Sequence, residues 1–201
     1  MNPKRHRINF EKKLIDKDAL KVLKVLHKAK FEAYLVGGCI RDLLLGKIPK
    51  DFDIATNATP EQVHKLFKRS RLIGRRFPIV HIMFSARKYI EVATFRAPHN
   101  HINKGGVVRD NHYGTLKEDV LRRDFTVNAL YYDTNKFQVI DFVDGLSAIN
   151  ECKICMIGNP IKRFEEDPVR MIRAIRFEVN LEANLDSEIS KAISKKTHLL
   201  S

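Results

Sequence analysis

Residues 35–56 read LVGGCIRDLLLGKIPKDFDIAT. A short apolar run stops at two adjacent glycines, Gly37 and Gly38, and a helical pattern follows until Gly46 closes it. Pro49 breaks the chain, and a second strand, DFDIAT, opens with aspartates at 51 and 53. Strand, tight glycine turn, helix and strand within 22 residues describe an α+β unit, and the flanking sequence extends it in both directions.

Upstream, DKDALKVLKVLHKAK (16–30) places Leu20, Leu23, Leu26 and Val22, Val25 at helical spacing, with Asp in the first turn and Lys in the last. The spacing predicts an amphipathic lead-in helix within a basic segment 1–32. Downstream, Thr59 as N-cap and Pro60 at the first helical position open a helix over EQVHKLFK. RLIG, PIVHIMF and YIEVATF, between 70 and 95, read as further strands of one mixed sheet. Residues 96–113 hold Pro, Asn, His and two Gly without a period and read as a loop; Thr115 and Glu118 then form a capping box for TLKEDVLRRD. After LYYD, FQVIDF and the Asp-Gly turn at 144–145, helical patterns take over in DPVRMIRAIRFEVN and LDSEISKAISKKTHLL. A boundary is expected near 146–160, dividing a mixed-sheet head (33–146) from the start of an all-α region (147–201).

The chain has 201 residues, 44% of them apolar, enough for a substantial core. Thirty-seven Lys and Arg against 24 Asp and Glu leave a formal net charge of +13, spread along the chain, which favours a polyanionic partner such as nucleic acid. The basic residues do not line one amphipathic helix, no apolar run approaches the roughly 18 residues needed to span a bilayer, and the first residues lack a secretory h-region. Three cysteines provide no disulfide framework, and a cytoplasmic location is expected. Cys152 and Cys155 form a lone C-x-x-C inside an apolar strand pattern; with no second ligand pair it reads as structural. His99, Asn100 and His101 sit in a polar stretch without carboxylate ligands.

In a strand, residues i and i+2 face the same way, so Asp51 and Asp53 present two carboxylates side by side. Their proximity is unfavourable without a cation, and divalent metal is the natural occupant, since Mg²⁺, for one, takes carboxylate oxygens together with substrate phosphates. A solvated D-x-D on an edge strand is the ordinary alternative. Two glycines ahead of a helix let backbone amides approach an anion, and Arg41, one turn in, carries a guanidinium that matches phosphate; a tight turn and an Arg41–Asp42 surface pair are the plainer readings. Asp167 and Arg170, i and i+3 at a helix start, can offer an acceptor and a donor fork to a base edge, with Arg173 and Arg176 continuing the stripe; an exposed basic helix face is the alternative.

LVGGCIRDLLLGKIPKDFDIAT resembles the active-site motif of the class II template-independent nucleotidyltransferases, the family of CCA-adding enzymes and bacterial poly(A) polymerases. RRDFTVNALYYD (122–133) is similar to that family's ribose-binding motif, VIDFVDGL (139–146) to its hinge motif, and EEDPVRMIRAIRF (165–177) to its nucleobase-reading motif. The four stand in the family's order. The resemblance implies a polymerase-β-like head and an all-helical neck. It also implies metal held by Asp51 and Asp53, and a third carboxylate, with Asp124 first and Glu91 second. Gly37, Gly38 and Arg41 would lie on the triphosphate, supported by Arg123; Asn128 would lie on the sugar side, and Asp167, Arg170, Arg173 and Arg176 toward base and phosphates. RLIGRRFPIVHIMF (71–84), RDNHYGTLKEDVLRRDFT (109–126) and the basic lead-in resemble the poly(A) polymerase branch, which implies ATP as substrate, RNA 3′ ends as acceptor and Mg²⁺ as cofactor. CCA addition to tRNA and a non-catalytic RNA-binding module are the alternatives. The family runs on beyond the neck, so the chain is expected to be a fragment; the sequence does not specify an oligomeric state.

Overall fold

The computed structural model describes residues 2–75, 78–97 and 113–200. In chain order it forms β1 (Lys4–Arg7), a 3₁₀ turn (Lys12–Leu14), α1 (Lys17–Lys28), β2 (Ala33–Val36), α2 (Gly38–Leu44), β3 (Asp53–Thr56), α3 (Pro60–Leu66), β4 (Ser70–Ile73), β5 (Ile79–Met83) and β6 (Tyr89–Thr94). Then come α4 (Leu116–Arg122), a 3₁₀ turn (Thr126–Asn128), β7 (Tyr131–Asp133), β8 (Gln138–Asp141), α5 (Gly145–Asn150), β9 (Lys153–Ile154), α6 (Pro160–Glu166), α7 (Val169–Leu181), β10 (Asn184–Leu185), α8 (Ser187–Lys196) and a closing 3₁₀ turn (Thr197–Leu200). Of the loop expected over 96–113, residues 98–112, with His99, Asn100 and His101, lie outside the described residues, as do Arg76 and Phe77 of the GRRF run.

Strands β1 to β8 form one mixed sheet in the order β1-β8-β7-β2-β3-β6-β5-β4. Neighbours are antiparallel except β3 and β6, which run parallel with Asp53 opposite Glu91. Alternation decides the faces: on β6, Ile90, Val92 and Thr94 are buried while Tyr89, Glu91 and Ala93 are not. The main core gathers Leu35, Ile54, Val80, Ile82, Ile90 and Val92 with Ala19, Val22, Leu23 and Leu26 of α1 and Val63 of α3. A second cluster around Val36, Ala55, Phe95, Val120, Tyr131 and Ile140 lies with α4. The caps expected at Thr59 and at Thr115 with Glu118 form, the first completed as a capping box by Gln62, and Asp16 caps α1 by accepting from the Asp18 and Ala19 amides.

Two expectations need correction. The lead-in is not only a helix: Lys4–Arg7 is a strand paired with β8, in spite of a polar sequence that carries no strand alternation, because β8 offers an open edge. An all-α neck after residue 147 is also not what these residues form. β9 and β10 pair in parallel, and Phe164, Met171, Ala174, Ile189 and Ala192 belong to the same core cluster as the sheet residues, so the helices are packed onto the head.

Candidate active site

The strand–turn–helix–strand segment builds one end of the sheet. β2 delivers the chain to Gly37, whose φ of 81° lies in the left-handed region that side chains avoid, and α2 starts at Gly38. β3 returns antiparallel with Asp53 opposite Val36, so the first turn of α2 lies beside Asp53. The Cys39 thiol of that turn donates to the Val36 carbonyl at 3.4 Å, and burial pushes it up to about 12, which leaves it uncharged next to the carboxylate. Asp51 precedes β3 and does not share its strand; buried Phe52 stands between the two aspartates and turns both outward.

Asp51, Asp53 and Glu91 line one open cavity of about 390 Å³, together with Asp16, Lys50, Arg87, Lys88 and Tyr89. The protein packed around Asp53 withdraws water from it, and Glu91 and then Asp51 add like charge, so its carboxyl is raised to about 6 although Arg123 acts in the opposite sense. The three acids face one space; among the described residues no three acid, imidazole or thiol groups converge into a preformed metal cluster. An excess of hard carboxylate oxygen, with a carboxyl destabilised by its neighbours, is the donor set a hard divalent cation such as Mg²⁺ satisfies.

Asp124, the first choice for the third carboxylate, is elsewhere. It accepts from Arg173 Nε at 2.7 Å and from the Phe125 amide at 2.8 Å, and it does not line the cavity. Glu91, the second choice, stands in register with Asp53 on one side and His81 on the other, its Oε2 3.5 Å from His81 Nε2.

Arg41 is pinned rather than free. Nε and one terminal nitrogen donate to Asp42 Oδ1 at 2.9 and 2.7 Å, and the other donates to Asn128 Oδ1 at 2.6 Å. Two of its five N–H groups stay available for an incoming anion. Asn128 thus holds Arg41 from the 3₁₀ turn after α4. The sequence did not reveal what holds Arg123, namely Asp119 and Tyr131. Asp119 is buried, accepts from Arg123 Nη2 at 3.1 Å, Arg122 Nε at 2.9 Å, the Arg96 amide at 3.1 Å and the Tyr131 hydroxyl; Arg123 Nε also donates to Tyr131 at 2.7 Å. Burial opposes the Asp119 charge, but the two guanidiniums and these donors outweigh it and hold its carboxyl below the usual range. The only written signal was Asp four residues before Arg on a helix, which reads as a surface pair.

The base-reading candidates sit on α7 and its entry. Arg170 donates to Glu166 and to the Arg163 carbonyl, and its Nε lies 3.9 Å from Asp167 Oδ2, while Arg176 is exposed. Phe177, below them, takes Arg41 and Arg173 over its ring at 5.7 and 5.5 Å, so α7 and the glycine turn meet across one aromatic side chain. The C-x-x-C does not form a site: Cys152 is exposed, with Cys155 half-buried.

Comparison with known proteins agrees with this arrangement. The chain is 49% identical to "Poly(A) polymerase I" of Salmonella typhimurium over 95% of its length, and 40% identical to the "CCA-adding enzyme" of Bacillus pumilus over 90%. It spans 43% and 45% of those proteins. The crystal structure of the Bacillus stearothermophilus CCA-adding enzyme in complex with CTP superposes with a TM-score of 0.81, at 36% identity, over 92% of this chain and 44% of that one. Residues 33–155, which hold Asp51, Asp53 and Glu91, the glycine turn and the Asp119–Arg123 network, match the family described as "Poly A polymerase head domain", and the chain belongs to that family.

Proposed function

We propose that the protein adds AMP from ATP to RNA 3′ ends without a template, with Asp51, Asp53 and Glu91 as its acidic centre. The observation that carries this reading is the in-register pair Asp53–Glu91 on an open cavity wall directly beside a glycine turn. The 49% identity to a poly(A) polymerase, against 40% to a CCA-adding enzyme, supports the choice of ATP.

The three carboxylates would hold Mg²⁺, which when bound lowers the pKa of the attacking 3′-hydroxyl and offsets charge on the leaving pyrophosphate. Gly37 and Gly38 leave their backbone open to the triphosphate. Arg41, oriented by Asp42 and Asn128, and Arg123, oriented by Asp119 and Tyr131, supply positive charge that needs little reorganisation when the anion arrives. Asp167 and Arg170 would read the adenine edge after exchanging their present partners, with Arg173 and Arg176 toward phosphates. The free thiols and the absence, among the described residues, of a helix able to cross a membrane fit an RNA-processing role in the cytoplasm.

The test offers the protein, with Mg²⁺ and one nucleotide at a time, a generic RNA and a tRNA trimmed at its 3′ end. Long ATP-only tails on the generic RNA are expected. Addition of C and then A, confined to tRNA and stopping after a few residues, would assign the chain to the CCA-adding branch, whose solved head it resembles at a TM-score of 0.81. In the same assay Glu91→Gln should lower kcat by about 1,000-fold, on the order expected when a group acting on transition-state charge is lost. Asp124→Asn should cost far less, because it breaks an ion pair with Arg173 outside the cavity. The reverse order would return Asp124 to the acidic centre.

A further inference from the structure

Register places a row of side chains on one face of the sheet, running outward from the carboxylates. Asp53 of β3 is opposite Glu91 of β6, Glu91 is opposite His81 of β5, and His81 is opposite Arg71 of β4. Tyr89 lies two residues before Glu91 on the same strand, hence on the same face, and it lines the same cavity. Its ring stacks on the His81 imidazole at 4.0 Å between centroids and 9° between planes. The imidazole backs one face of the ring, and the residue keeps 48% of its surface exposed, so the opposite face and rim are open. A large aromatic side chain that stacks on an imidazole beside this cavity and keeps about half of its surface exposed is not explained by core packing: the hydrophobic neighbours Ile90 and Val92 face the other way.

We infer that Tyr89, backed by His81, is the platform on which the 3′-terminal base of the acceptor RNA stacks. The proposal rests on the nucleotidyl-transfer reading of the same cavity. A 3′-hydroxyl brought to Asp53 and Glu91 carries its own base within about two strand residues, roughly 7 Å, and Tyr89 stands at that separation from Glu91. The exposed cation of Arg71 extends the row on the outer side, where the RNA backbone would enter. Flat aromatic faces interleaved with cations are the usual means of holding single-stranded nucleic acid, and they accept any base. Such a platform suits an enzyme whose acceptor end changes from one RNA to another. His81 acts here as a positioning residue: it backs the ring by stacking, with its Nε2 3.5 Å from Glu91 Oε2.

The test uses RNA with 2-aminopurine as its last nucleotide, a base whose fluorescence falls on stacking, and steady-state kinetics with the same sequence in natural form. The protein should quench the terminal 2-aminopurine on binding. Tyr89→Ala should abolish that quench and raise the KM for RNA about 10-fold, the order expected from the loss of one base stack, with the KM for ATP unchanged. Tyr89→Phe, which keeps the ring, should behave as the parent. Equal quenching by Tyr89→Ala, or an equal loss in Tyr89→Phe, would overturn the platform; a change in the KM for ATP alone would assign the ring to the incoming nucleotide instead. If the parent quenches the probe but extends no RNA, the functional reading fails and the stacking site stands. If it extends RNA while Tyr89→Ala is unaltered, the stacking site fails alone.

Discussion

Asp53 shows how a single side chain couples stability to pH. Its carboxyl is raised to about 6 by withdrawal of water and by the charges of Glu91 and Asp51, against an ordinary value near 3.8. Because the folded protein binds this proton more tightly than the unfolded chain does, the contribution to stability falls as pH rises from about 4 to about 6, and the whole penalty is present at pH 7. Water in the cavity screens the charges, so the cost is discounted to about 1 kcal/mol. Asp53→Asn should therefore melt about 2–4 °C higher than the parent at pH 7 without divalent metal, and the gain should vanish near pH 4. Adding Mg²⁺ should raise the parent and leave the variant nearly unmoved. Thermal melts at the two pH values, with and without metal, check all three; a variant less stable at pH 7 would mean that Asp53 is held by partners rather than strained by neighbours.

At the scale of elements, the segment from β2 through α2 to β3 assigns different work to its two glycines. Gly37 has φ 81° and ψ −134°, a region open almost only to glycine, while a Cβ there would meet nothing nearer than 3.8 Å. Gly37→Ala should thus cost about 1–3 kcal/mol through backbone strain alone. Gly38 is already helical, and its Cβ would meet the Arg41 guanidinium at 3.4 Å, an ordinary contact distance that leaves the pinned side chain in place; Ala is the better helix former, so Gly38→Ala should melt no lower than the parent. If the backbone there receives the triphosphate, the methyl group should still raise the KM for ATP. A similar local logic explains the segment resembling a hinge motif. The buried Asp141 carboxylate accepts from the amides of Val143, Gly145 and Leu146, and a Cβ on Gly145 would lie 2.4 Å from the Thr126 carbonyl oxygen, so the segment is a rigid corner starting α5. The sequence showed the Asp-Gly turn but not the helix after it, because Asp144 at φ 58° and a six-residue helix leave no period to detect.

For the molecule as a whole, what was legible depended on how local its cause was. α1, α3 and α7 follow from apolar spacing and caps, and the glycine turn with its aspartates follows from residue chemistry. Glu91 was harder, since its place beside Asp53 is a matter of register between strands far apart in sequence, and the buried Asp119 accepts from a tyrosine twelve residues away. The boundary near 146–160 is the same problem at the largest scale: composition changes there, but contacts continue across it. Arg163 of α6 donates to the carbonyls of Arg122 and Arg123, Arg173 of α7 pairs with Asp124, and Phe177 packs edge-on against Phe125 at 5.5 Å. Phe164 is fully buried in the core that also holds Leu35 and Ile54. Two packed units sharing one core should unfold together. Phe164→Ala should remove about 3–5 kcal/mol and lower a single transition by roughly 10 °C. Near-UV circular dichroism, weighted by the buried Tyr131 and Tyr132 of the sheet, and far-UV helical signal should fall at one temperature in both parent and variant. A variant whose helical signal melts first, while its tyrosine signal holds, would show that the helices from Pro160 onward are a separate unit docked on the head.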